Sequence, residues 1–259
     1  MKNNILYISI LLILNILIIS KSIAANPFNF NITEVEITDN GNIFKGYNRG
    51  VVLVDDGTKI EADNFEYNKD LNILNAKGKV IITNKIDNYT IYSEKITYIK
   101  NQEKIFTNGE TRAIIEQRYN FESKNVLFLK NKMKLSSFEK SSLKDGDLYF
   151  YKFDDFTYSL NEGLLKANNI EIISDHTKDD KQKNFYYFKD GIVNIKEDEF
   201  IAGETRIKVK KDIFEVTKND PRIYGVSSNK KGDITTVNKA TFTSCAFNDS
   251  CPPWSLSAN

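Results

Sequence analysis

Residues 60–82 read IEADNFEYNKDLNILNAKGKVII, and the spacing of their side chains recurs along the chain. An apolar residue is followed two positions on by a small one, then by apolar residues three and five further: Ile60, Ala62, Phe65 and Tyr67. The same spacing returns at Ile91, Ser93, Ile96, Tyr98 and at Phe121, Ser123, Val126, Phe128. Two looser copies follow at Leu165, Ala167, Ile170, Ile172 and at Phe200, Ala202, Thr205, Ile207. The first three copies recur about every thirty residues, and self-similarity of this kind marks an array whose units stack on their neighbours. Polar turns such as Asn68-Lys69-Asp70 and Lys100-Asn101-Gln102 follow the copies, and a second strand such as Val80 to Thr83 comes after. The unit is a strand pair, and the fold class is all-β.

The rest of the chain agrees. Ile32, Val35 and Ile37 suggest a first edge strand ended by the turn Asp39-Asn40-Gly41, and residues 45–54, KGYNRGVVLV, read as a second strand. Nowhere between Asn26 and Asn259 does an apolar 3.6-residue period persist. The aromatic group Tyr149, Phe150, Tyr151, Phe153 and Phe156 reads as an ordinary hydrophobic strand and its return. Residues 174–184 read as a surface loop, residues 219–226 (NDPRIYGV) as a break in the repeat, and residues 233–243 as one further strand.

The 259 residues carry 36 Lys and Arg against 35 Asp and Glu, a formal net charge of +1. That balance argues against a nucleic-acid partner held by a broad cationic field. The single histidine, His176, lies in a polar run, and Asp154, Asp155 and Glu162 sit in turn-like contexts. The chain therefore reads as no enzyme, with no cofactor and no metal. Residues 1–25 have the form of a signal peptide, with Lys2, an apolar run from Ile5 to Ile19, and Ser22-Ile23-Ala24 at the cleavage positions. An uncleaved membrane anchor is the alternative for a run of this length. Export makes oxidation of Cys245 and Cys251 expected, and a local bond between them would stabilise by only about 2 kcal/mol.

Stacked strand pairs bury their apolar faces as a continuous strip. From composition, a filled sandwich core is favoured over an open apolar trough, and a structural surface repeat without ligand fits the same pattern.

The rungs, together with NDPRIYGVSS (219–228) and NKATFTSCAFNDSCPPWSLSA (238–258), resemble the amino-terminal periplasmic part of the outer-membrane lipopolysaccharide-assembly family LptD, also called organic solvent tolerance protein. The rung pattern is shared with the soluble bridge proteins (LptA) and their membrane-anchored relatives (LptC), whereas the Phe242-Thr243-Ser244-Cys245 block and Trp254 are more specific. The resemblance implies an OstA-like β-jellyroll of open, twisted sheets over residues 26–226. Residues 227–259 would then begin the connection to a carboxy-terminal β-barrel, making the sequence the front part of a longer protein. It implies a periplasmic location attached to the outer membrane and non-enzymatic transport of lipopolysaccharide. The implied partners are an LptA-like bridge protein and an LptE-like lipoprotein; a soluble LptA-like bridge is the alternative identity.

Carrying acyl chains through water costs about 0.8 kcal/mol per exposed methylene, so several chains need a covered path. The expected lipid-binding residues are Ile60, Phe65, Ile91, Ile96, Val126, Phe128, Ile170 and Ile172. Which sheet face they line is left open, because a one-residue slip moves the whole set to the other side. In the resembling family a cysteine at the position of Cys245 forms a disulfide that reaches the barrel, which stands beside the local Cys245–Cys251 bond as an open pairing.

Overall fold

The computed structural model describes residues 27–213, 219–245 and 254–258. The expected signal peptide and Cys251 lie outside the described residues. Among the described residues, twenty strands join in one antiparallel sheet. The first seven are β1 (Phe28–Thr38), β2 (Ile43–Val54), β3 (Lys59–Ala62), β4 (Asn64–Asn68), β5 (Ile73–Asn84), β6 (Tyr89–Ile99) and β7 (Lys104–Ile115). There follow β8 (Tyr119–Lys124), β9 (Leu127–Leu129), β10 (Lys134–Ser137), β11 (Ser141–Asp145), β12 (Tyr149–Phe153), β13 (Phe156–Ser159) and β14 (Leu164–Ser174). The last are β15 (Phe185–Asn194), β16 (Glu199–Lys208), β17 (Arg222–Lys231), β18 (Ile234–Asn238), β19 (Thr241–Thr243) and β20 (Leu256–Ser257).

Every rung is one strand bent in the middle. β3 and β4 are the two halves of a single bent strand, both paired with β2 on one side and β5 on the other. β8 with β9, and β12 with β13, repeat the arrangement, while β5, β6 and β7 pass through the bend unbroken. The bends align into a crease that divides the sheet into two leaves, one containing β3, β8, β11 and β12, the other β4, β9, β10 and β13. We call them the β3 leaf and the β4 leaf.

The repeat spacing encodes this crease. Within a strand, alternate residues face the same side, so Ile60 and Ala62 point inward together, as do Phe65 and Tyr67. The three-residue step from Ala62 to Phe65 would put the two pairs on opposite faces of a straight strand. One extra residue at the bend restores the phase, as a β-bulge does, and both leaves then bury their apolar sides. The backbone bears the cost. Positive φ occurs at Lys79, Asn125, Asn169 and Glu204, where asparagine is the most tolerant of the side chains. Gly78 (φ +84°) fits where little else does, since a Cβ there would lie 2.6 Å from Asp63 Oδ2. Amides and carbonyls cross the crease in pairs: Asp63 N–H donates to Gly78 O, and Asn125 N–H to Gly109 O, at 3.0 and 3.1 Å.

The first three sequence copies run from the β3 leaf to the β4 leaf, whereas the copies in β14 and β16 run the other way. A spacing of two, three, two reads the same in both directions, and so serves strands of either polarity.

Three readings change at the carboxy-terminal end. Residues 219–226 do not interrupt the array: Pro221 precedes β17, which pairs along its length with β16. The single strand expected over 233–243 is two, because Lys239 has φ +49° at the crease position. The sheet also continues beyond residue 226, through the rest of β17 and into β18, β19 and β20.

Candidate functional site

The interface between the leaves is lined by the repeat residues. Ile60, Ile91, Ile170 and Ile172 project from the β3 leaf, and Phe65, Ile96, Val126 and Phe128 from the β4 leaf. None of the eight is more than 4% exposed. The apolar set of each rung therefore faces the interior, and the polar alternates face outward. Aromatic rings from opposite leaves meet across the gap: Phe28 with Tyr67 at 5.0 Å, Tyr89 with Phe128 at 5.1 Å, Phe121 with Tyr158 at 4.7 Å and Phe188 with Phe200 at 4.8 Å between centroids. The leaves touch, and the strip is filled by its own side chains.

Some interior residues are absent from the sequence copies. Tyr151, Phe153, Phe156 and Tyr158 have the same two-three-two spacing and are all buried. Neighbouring Tyr149 and Phe150 masked the phase. On β7 the inward set is Ile105, Thr107, Thr111, Ala113 and Ile115, where two threonines hide the strip. Thr111 satisfies its hydroxyl on Thr107 Oγ1 at 2.6 Å. Tyr158 is different: its hydroxyl is the buried side-chain oxygen without a hydrogen-bond partner among the described residues. Burial raises its pKa above the usual phenol value.

Opposite the crease, the turns of the two leaves meet along a polar seam with three stations. At the first, Lys130 on the β4 leaf pairs with Asp56 on the β3 leaf, and Lys100 with Asp55 at 3.0 Å. Tyr98 joins this cluster, accepting from Lys130 Nζ at 3.1 Å and donating to Glu103 at 2.5 Å. At the second, Lys196 in the β15–β16 turn reaches Glu116 in the β7–β8 turn at 2.6 Å. At the third, Tyr149 donates to Asp198 at 3.0 Å, and Lys230 pairs with the same carboxylate.

Electrostatics at the first station follow from partial burial. Burial pushes the Asp56 carboxyl up, but hydrogen bonds from Lys130 and the Thr58 amide outweigh it, leaving the group below its ordinary value. Burial likewise depresses Lys100, and its bonds to Glu103 and Asp55 more than reverse that. The Tyr98 phenol is driven far up, first by burial and then by Glu103.

The remaining sequence candidates are structural. Asp154 and Asp155 accept from Asn169 and Asn168 at the crease, at 2.7 and 2.9 Å. His176 Nε2 lies 3.0 Å from Gly146 O in a surface turn. Among the described residues no three His, Cys, Asp or Glu side chains group as a metal site. Cys245 is buried at the end of β19: Arg222 donates to its carbonyl at 2.6 Å, and the Phe242 and Trp254 rings stand 5.8 Å apart beside it.

Fold and interior together define a class: an antiparallel β-jellyroll array whose two leaves enclose an apolar strip. No family model and no curated protein matches the chain. Among solved structures it is similar to the crystal structure of LptH, "the LptA homologous periplasmic component of the conserved lipopolysaccharide transport device from Pseudomonas aeruginosa". That similarity has 17% identity, covers 40% of this chain and 76% of that one, and has a TM-score of 0.36. A likeness this remote assigns nothing to this chain.

Proposed function

We propose that the chain carries lipopolysaccharide through the periplasm without chemistry of its own, sheltering acyl chains between the two leaves. The observation that supports this best is the apolar strip, which the rungs extend from both leaves on either side of a line of inward hydroxyls such as Thr107, Thr111, Ser123 and Ser141. Acyl chains are apolar and flexible, and a strip of Ile, Val and Phe offers them contact without directional demands. The filled interior makes the protein a closed carrier: the leaves part about the crease to admit a lipid. Directionality comes from elsewhere, since the sequence contains no phosphate-binding GxxxxGK[ST] loop.

Within that function, the Phe242–Cys245 block and Trp254 favour the amino-terminal part of an LptD-like outer-membrane protein, bound to an LptA-like bridge and joined through its barrel to an LptE-like lipoprotein. A soluble LptA-like bridge remains the second reading, favoured by the rungs themselves. Cell fractionation separates the two: retention in washed outer membranes supports the first, and release with the periplasm the second.

The transport reading is tested by photo-crosslinking. A crosslinker in place of Ile96 or Phe128 is expected to capture lipopolysaccharide in cells, and one at the outward neighbour Thr97 is not. Capture from Thr97 alone would refute the interior path.

A further inference from the structure

The seam has an asymmetry that a purely structural clasp does not need. At every station the cation is the more sheltered partner. Side-chain exposure is 5% for Lys130 against 40% for Asp56, 13% for Lys100 against 66% for Asp55, 27% for Lys196 against 41% for Glu116, and 14% for Lys230 against 50% for Asp198. Lys230 and Asp198 lie on the same β4 leaf and stay paired when the leaves part, and Lys130 and Lys100 keep Glu103 of their own leaf, 3.5 Å from Lys130. Lys196 differs: its carboxylate partner, Glu116, is on the β3 leaf, so parting the leaves at this station leaves the ammonium needing an anion. Opening is therefore favoured when the entering molecule brings a negative charge with it.

The middle station adds a second polar requirement. Lys196 lies across Gly163, where an added Cβ would fall 2.5 Å from Lys196 Cγ, so the lysine has a seat with no room for a larger residue. On the same leaf Tyr158 pairs with Leu165, which pairs with Val193, three residues before Lys196. Tyr158 is fully buried, and its hydroxyl has no partner. Across the gap the Tyr158 ring meets Phe121 of β8 at 4.7 Å between centroids, and β8 begins at Tyr119, three residues after Glu116. A buried donor left unpaired is costly, and such groups commonly await a ligand or mark a functional site.

We propose that the Glu116–Lys196 station is the entry and recognition point for an acylated phosphate amphiphile. Lys196 exchanges Glu116 for the phosphate, and the Tyr158 hydroxyl donates to the carbonyl of the acyl linkage. This rests on the transport reading and names the headgroup chemistry that reading lacks. It assigns one charged contact and one neutral hydrogen bond to a ligand whose chains occupy the strip.

The test uses the full chain and three fluorescent probes with one chain length: an acyl lysophosphatidate, the matching monoacylglycerol, and the ether analogue of the lysophosphatidate. The wild-type protein is expected to bind the lysophosphatidate at least about tenfold more tightly than the monoacylglycerol, an order of magnitude in keeping with one charge-assisted hydrogen bond. Lys196→Met is expected to erase that preference while keeping the monoacylglycerol affinity. Tyr158→Phe is expected to weaken both ester probes, leave the ether probe unchanged, and raise the melting temperature by removing the unpaired hydroxyl. A merely structural tyrosine would lower the melting temperature and shift all three probes together. Equal binding of the two ester probes by wild type, retention of the preference in Lys196→Met, or displacement of the lysophosphatidate by equimolar inorganic phosphate overturns the proposal while the transport reading stands. Failure of every probe to bind overturns both.

Discussion

The two leaves are joined along two lines, and the lines are built from different materials. At the crease the backbone itself passes from leaf to leaf in every rung, pinned by paired amides and by residues at positive φ such as Asn125 and Asn169. At the seam no backbone crosses. The leaves are held by side chains from turns far apart in sequence, Lys130 on Asp56 and Lys196 on Glu116. One line can bend but not part, and the other can part and re-form. Together they make a hinge and a latch, with the apolar strip between them.

The comparison breaks most severely at the crease. Deleting Asn125 removes the extra residue between Ser123 and Val126 and turns Val126 and Phe128 toward solvent if β8 keeps its register. The expected outcome is loss of a single cooperative melting transition by calorimetry; an unchanged transition would show that the crease is not what sets the phase. A middle-sized effect is expected at the first station of the seam. Asp56→Asn removes the partner that Lys130 has across the seam and leaves it only Glu103 of its own leaf at 3.5 Å, and chemical denaturation should show a loss of about 1–3 kcal/mol. Because the Asp56 carboxyl is held below its ordinary value, its contribution is complete above that value and disappears as pH falls through the depressed one. Amide exchange in the turns 55–58 and 130–133 should accelerate in that acid range in the wild type, and not additionally in Asp56→Asn. The smallest effect is expected at Glu116→Gln, an exposed pair worth less than about 1 kcal/mol and sensitive to salt. A cost there as large as at Asp56 would mean that the stations are equivalent clasps, contrary to the asymmetric latch.

Much of the hinge was legible in the sequence, and almost none of the latch. The step from Ala62 to Phe65, repeated at Ser93 to Ile96 and Ser123 to Val126, is a local signal because the residues that must share a face are neighbours in the chain. It failed at Tyr151 to Tyr158 only because adjoining aromatic residues obscured which positions carried the phase. On β7 the interior accepts threonines that bond to each other, so inward positions look polar. The seam has no local signature: Lys196 and Glu116 sit in ordinary polar turns, and only the twist of the stacked leaves brings them together. Domain boundaries drawn from punctuation were the least secure, since Pro221 and Gly225 flank or sit within a regular strand.

The reversible spacing of the repeat bears on how such a chain can lengthen. In an antiparallel array a duplicated strand lands beside its parent with the opposite polarity, and most amphipathic patterns with an offset bend would then turn the wrong side chains inward. A two-three-two pattern survives that inversion. The strands between the first copies carry a different spacing, two-four-two, at Leu74, Ala76, Val80 and Ile82 on β5 and at Ile105, Thr107, Thr111 and Ala113 on β7, so in that half of the array the unit that could be gained or lost without recoding its neighbours is a pair of unlike strands.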